Sequence, residues 1–265
     1  MEEKKYTLED LMEIIRILRS ENGCPWDKVQ THASIRMDLL EEAYEAADAI
    51  DRRDMENLKE ELGDVLMQVV FHAQIETEQG GFGMEEVLRG ICEKMIYRHP
   101  HVFGNGEVQA DTAEQVLVNW EALKKKEKHT TTQTEVMQAV PDALPALLRA
   151  KKVQKKAADV GFDFYEQGGA LEKVREELTE LEEAIRLQDG TEEEEFGDIL
   201  FAMVNVARFL KINPEFALTK AIKKFINRFE YIEKSALSQG KDLSGMTPEE
   251  MDFLWEEAKK VLPPM

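Results

Sequence analysis

Along most of the chain, apolar residues recur at helical spacing, and Glu, Lys and Arg dominate the positions between them. No segment alternates apolar and polar residues for long enough to make a strand. The pattern predicts helices over 8–20, 33–52, 54–79 and 84–98, with a short one carrying Trp120. It predicts a second series over 143–158, 169–188, 191–210 and 214–238, with a short one carrying Trp255. Two runs, VLMQVVF (65–71) and ILFAMVNVA (199–207), are apolar almost all round, as in a buried helix. Each is headed by an acidic phrase with an internal glycine, EELGD (60–64) and EEFGD (194–198).

The two series are a repeat. With Asp64 set on Asp198, Glu42 and Glu45 fall on Glu177 and Glu180. Farther upstream, Leu11 falls on Leu147, and the PWD ending at Asp27 meets the GFD ending at Asp163 with one residue of slippage. Downstream, TAEQVLVNWEALKK (112–125) meets TPEEMDFLWEEAKK (247–260), and both open like a capping box. A period of about 135 residues is too long for a solenoid unit and indicates a duplicated domain. The expected architecture is all-α: two tandem four- to five-helix bundles over 1–126 and 143–265, with a polar, threonine-rich linker over 127–142.

Composition narrows this only a little. A formal charge of −20 argues against a nucleic-acid-binding surface but permits phosphorylated small molecules bridged by metal ions. Two cysteines without CxxC spacing, no signal-like start and no long apolar span suggest a reduced, cytoplasmic protein that does not enter membranes.

Candidate chemistry lies in the matched acids. Glu42 and Glu45 share a helix face, as do Glu61 and Asp64; Glu177 and Glu180, and Glu195 and Asp198, repeat that geometry. In a chain that is 33% charged, many such pairs merely solvate a surface, and Glu182, Glu183 and Glu192 read that way. The matched quartets differ: Asp64 and Asp198 enter apolar runs, where an uncompensated acid is costly. Gly63 and Gly197 each cost about 1 kcal/mol against alanine in a helix, which suggests close packing or ligand approach. Two antiparallel helices of this kind aim four carboxylates at one point, an all-oxygen site for Mg²⁺ or Mn²⁺. Di-iron bundles use a Glu-x-x-His pair, which neither copy has. His72 has no counterpart in the second copy and reads as a core or surface histidine.

CPWDKVQTHASI (24–35), the doubled EExxE…ExxD, RHPHVFG (98–104) and GFDF (161–164) resemble the MazG family of nucleoside triphosphate pyrophosphohydrolases over nearly the whole chain. The resemblance implies Mg²⁺-dependent cleavage of several ribo- and deoxynucleoside triphosphates to monophosphate and pyrophosphate. It also implies a homodimer or higher homo-oligomer, and a second domain that carries the main activity beside a weak or structural first one. Metal ions would bridge Glu177, Glu180, Glu195 and Asp198 to the phosphates, while one of these acids orients or deprotonates the attacking water. Lys224 and Arg228, four apart on one helix face and matching the family's KFxxR, would neutralise phosphate, as Lys94 and Arg98 would in the first copy. Lys173 is a weaker candidate for the same role. Trp255 would pack in the core or stack on a base. Asn205, two turns beyond Asp198, would hydrogen-bond a substrate sugar or phosphate, or serve the fold. The first copy has Phe71 there, which puts its catalysis in doubt without removing its metal site. Two other readings stay open: a narrow dUTPase-like or damaged-nucleotide pyrophosphatase, and a non-catalytic helical module stabilised by metal.

Overall fold

The computed structural model describes residues 5–105, 108, 110–127 and 132–262. The chain divides into two compact units, Met1–Lys128 and His129–Met265. Among the described residues there are helices and turns but no strand. None of these helices is long and apolar enough to cross a membrane.

The first unit contains α1 (Leu8–Arg19), α2 (Arg36–Arg52), α3 (Met55–Glu78), α4 (Met84–Arg98), the short α5 (Pro100–Phe103) and α6 (Ala113–Glu127). Thr7 and Asp10 form a capping box that starts α1, and the Asp54 side chain caps α3. Between α2 and α3 the chain turns within two residues, with Arg53 left-handed at φ 57°. So tight a turn lays the two helices antiparallel along each other. α1 packs on α3, and their contact holds the main apolar cluster: Ile15, Ile35, Val70, Phe71, Ala73, Ile75 and Met84.

The second unit contains α7 (Gln133–Gln138), α8 (Ala146–Ala158), α9 (Gln167–Leu187), α10 (Glu192–Phe209), α11 (Pro214–Ser238) and α12 (Pro248–Val261). α9 and α10 repeat the antiparallel pair, again with a left-handed non-glycine, Gln188 at φ 53°, ending the first helix. α8 packs on α10, and α11 packs on α12 around Ile232, Ala236, Met246 and Leu254. Thr247 and Glu250 make the full capping box expected for α12. At the matching start of α6, Thr112 caps Gln115, but the Gln115 side chain turns to the Asp111 amide instead.

Two expectations change. The 127–142 segment is not all linker: Thr132 and Glu135 cap one another, start α7, and dock it on α8. Residues 128–131 lie outside the described residues. The apolar runs are not enclosed by their own unit either, since Leu66, Leu200, Phe201 and Met203 are exposed beside the buried Val70, Phe71, Ala202 and Val204.

Candidate active site

The antiparallel pairs bring the acids together. Glu177 and Glu180 project from α9 and Glu195 from α10, and one oxygen of each lies within 4.8 Å of the others. Glu42, Glu45 and Glu61 do the same between α2 and α3. Asp64 and Asp198 stand one turn beyond, outside these triplets, but their charges reach them. The Glu195 carboxyl is pushed above its ordinary value by burial first, then by Glu180, Asp198 and Glu177. Glu42 is raised by burial, then by Asp64, Glu45 and Glu61, and Glu61 by burial and then Glu45. Crowded carboxylate oxygens that resist ionisation together are a donor set suited to a hard divalent cation.

The buried acids are not those the apolar runs suggest. Glu61 and Glu177 are buried, Asp64 is half-buried and Asp198 is exposed. The glycines do not answer to packing within the chain: a Cβ on Gly63 or Gly197 would meet nothing within 4 Å.

One difference between the copies escaped the pattern. Lys173 lies one turn before Glu177; its ion pairs with Glu176 at 2.8 Å, first, and with Glu177 at 2.6 Å hold the ammonium well above its ordinary pKa. The matched residue in the first copy is Asp38, a further acid that helps raise Glu42. Aligning one residue type per turn upstream of Glu42 and Glu177 would have exposed this inversion of charge.

The remaining cations and rings assemble elsewhere on each unit. Arg228 of α11 lies over the Trp255 ring of α12 at 5.5 Å, and Phe225 tilts against the same ring at 5.2 Å. Arg98 lies over Trp120 at 5.2 Å in the corresponding place. Lys224 and Lys94 are exposed. α11 packs on α12 and touches α8 but forms no comparable interface with α9 or α10, so one unit does not bring Lys224 and Arg228 against the carboxylates. Asn205 faces a cavity between α8, α10 and the loop around Asp163. Arg208, which the pattern did not single out, donates to the Asn205 Oδ1 at 3.0 and 2.7 Å and bridges both Asp163 oxygens. In the first copy His72 is half-buried and stacked on His32.

Helices without strands, and a doubled antiparallel pair that gathers carboxylates, define an all-α protein built around two acidic clusters. The profile of the MazG nucleotide pyrophosphohydrolase domain matches residues 30–103 and 168–233, one match over each cluster. The chain belongs to the MazG family. It is 45% identical to the nucleoside triphosphate pyrophosphohydrolase/pyrophosphatase MazG of Thermotoga maritima, over 98% of both chains. It is 42% identical to the nucleoside triphosphate pyrophosphohydrolase of Escherichia coli K12, over 96% of this chain and 97% of that one. It is also 51% identical to the Bacillus subtilis protein YabN, over 93% of this chain but only 50% of that longer protein.

Proposed function

We propose that the chain hydrolyses nucleoside triphosphates, both ribo- and deoxy-, to monophosphate and pyrophosphate in the cytoplasm, with the C-terminal unit as the catalytic one. The carrying observation is the close triplet of Glu177, Glu180 and Glu195 with Lys173 tied to its buried member. Family membership supports the reaction class.

Glu177, Glu180, Glu195 and Asp198 would hold Mg²⁺, or Mn²⁺ in its place. The ion supplies charge neutralisation and polarisation at phosphate oxygens. The protein supplies the rest. A carboxylate of the cluster orients a water and takes its proton as the water oxygen bonds to phosphorus and the bridging oxygen leaves with the other phosphate. Lys173 moves from Glu177 toward phosphate as negative charge arrives, and Arg228 offers a two-pronged contact whose plane Trp255 fixes.

Because Lys224 and Arg228 do not face the carboxylates of their own unit, the working enzyme is a homodimer in which a second copy completes the site. Exposed Ile222, Phe225, Ile226 and Phe229 on α11, and Leu178, Leu200 and Met203 on α9 and α10, supply the apolar faces for it. The N-terminal unit, with Asp38 in place of Lys173 and Phe71 in place of Asn205, binds metal through Glu42, Glu45, Glu61 and Asp64 and contributes assembly rather than turnover; Lys94 and Arg98 are its relict phosphate contacts.

Pyrophosphate release from the eight common nucleotides, with and without Mg²⁺, tests this reading. Broad, Mg²⁺-dependent release that collapses in Glu195→Ala and Asp198→Asn is expected. Wild-type rates in both variants would overturn the C-terminal assignment.

A further inference from the structure

In the first unit the irregular segment between α1 and α2 is fastened to α3 by polar groups. Arg19, buried at the end of α1, donates to the Asp27 and Gln30 carbonyls at 2.7 and 3.2 Å, and its other nitrogens hold Glu78 of α3. His32 makes a second fastening. Its Nδ1 lies 2.8 Å from Nδ1 of His72 and its Nε2 lies 2.9 Å from Glu76, with the two ring planes 3° apart. His72 and Glu76 continue, at one-turn spacing, a polar stripe on α3 that includes the buried Gln68. In the second copy the three positions are Ala202, Val206 and Leu210, so a helix of this fold packs without them.

Hydrogen-bond roles fix where the protons are. The Glu76 carboxylate accepts, so His32 Nε2 carries a proton. A neutral His32 then accepts at Nδ1, and His72 Nδ1 must donate. His72 Nε2 keeps its lone pair, buried and without a partner among the described residues. The arrangement has no place for a further proton. Added to His72, it lands on the buried Nε2, where no acceptor stands within reach. Added to His32 Nδ1, it meets the His72 N–H, which yields only by moving its proton to that same Nε2. Either route buries an unpaired N–H, which is costly.

The surrounding charges do not offset that cost. Glu76 already accepts from His32, and Arg19 of α1 is committed to Glu78 and the loop carbonyls. α4 meets this core through Met84 and Val87, while Glu85 pairs with Arg89 and Glu86 accepts from the Gly83 amide. α2 opens with Arg36, which is exposed, and Asp38. Among the described residues only His32 acts on the His72 charge, and it acts with burial, against protonation.

We propose that His32, His72 and Glu76 form a proton-operated latch, which holds the 24–35 segment on α3 while both imidazoles are neutral and releases it when a further proton arrives. The open segment frees His72 to take that proton, so acid favours opening. The segment ends at Ile35, which is buried in the core and stands at the N-cap of α2. α2 carries Glu42 and Glu45, so release loosens the entry of the helix that supplies two of the three acids of the first cluster. The second unit, with Val206 and Leu210 at the matched positions, lacks these groups. The latch is independent of the hydrolase reading.

Hydrogen–deuterium exchange of the full chain, read by mass spectrometry at about pH 7.5 and about pH 5.5 and corrected for the intrinsic rate, tests the latch. In wild type, opening of peptides within 24–35 should rise by about tenfold at the lower pH. That is the factor for one histidine that charges near 6.5 when open and well below it when closed. Peptides from the α3 core (65–71) should change far less. His72→Val should remove the rise, because the remaining His32–Glu76 pair gains from a proton instead of losing. His32→Ala should raise opening already at the higher pH, and melting curves confirm that both variants fold. Equal opening of the wild-type segment at the two pH values overturns the latch. So does a tenfold rise that persists in His72→Val, an equal rise over the α3 core, or a segment that stays closed in His32→Ala.

Discussion

Lys173 Nζ sits 2.6 Å from Glu177 Oε1, while the position matched to Lys173 in the first copy is the acidic Asp38. One acidic cluster therefore carries its own cation and the other carries one more anion. The first prediction follows from that inversion. Lys173→Ala should lower kcat/KM for triphosphates by about a hundredfold, the low end of the scale for removing one group aimed at developing negative charge. Lys173→Asp, which copies the first unit, should lower it further. Steady-state kinetics measure both, and a rate unchanged in Lys173→Asp would show that the pair is only structural.

The second prediction concerns assembly. If the apolar face of α11 is an interface, Phe225→Glu and Ile226→Glu placed together should shift the chain to monomer and abolish turnover, although neither residue belongs to the carboxylate cluster. Light scattering coupled to gel filtration reads the mass. Full activity in a monomeric variant would place a complete site within one chain.

Local backbone geometry gives a third. Arg53 and Gln188 end α2 and α9 at φ 57° and 53°, where a side chain is disfavoured and glycine is not. Arg53→Gly and Gln188→Gly should each stabilise by up to about 1 kcal/mol, the strain relieved exceeding the gain in unfolded-chain freedom. Urea titration is the measurement; a clear loss of stability in either would mean that the native side chain makes a compensating contact.

The fourth is a pH dependence carried by a histidine of the first unit. The His32 and His72 rings stack 5.0 Å apart with their Nδ1 atoms 2.8 Å apart, so one nitrogen donates and the other accepts. Glu76 meets His32 Nε2 at 2.9 Å. Burial first, then the neighbouring His32, lowers the His72 pKa from 6.5. As pH falls, the unfolded chain therefore takes up a proton at His72 before the folded unit does. The stability contributed by a neutral His72 is fully present above 6.5 and is lost as pH drops through the lower folded value. Between about pH 7.5 and about pH 5.5, His72→Val, which copies Val206, should lose less melting temperature than wild type. Parallel curves for the two proteins would contradict it.

The helices were legible because each long one shows a clean apolar period and the duplication supplies every boundary twice: 84–98 and 214–238 were placed as observed. The acidic triplets were legible for the same reason, since Glu-x-x-Glu and Glu-x-x-Asp kept their spacing through two otherwise divergent copies. What escaped depends on contacts that periodicity does not encode. α7 is too short to show a period, and only its Thr132–Glu135 capping box marks it. Glu61 and Glu177 are buried rather than Asp64 and Asp198 because the antiparallel pairing covers the former, not because of the apolar run that follows. Gln154 sits in AKKVQKKAA (150–158), where it reads as one more polar face residue, and only the fold reveals it inside. Among the described residues a Cβ on Gly63 or Gly197 would meet no atom within 4 Å, so the close packing that the sequence suggested for them is not found there.

The division of labour between the units is tested most directly by pyrophosphate release from two matched variants, Glu195→Gln and Glu61→Gln, at saturating Mg²⁺. The predicted result is a loss of about a hundredfold or more in the first, with the second retaining most of the wild-type rate. Equal losses, or the larger loss in Glu61→Gln, would contradict a catalytic C-terminal unit.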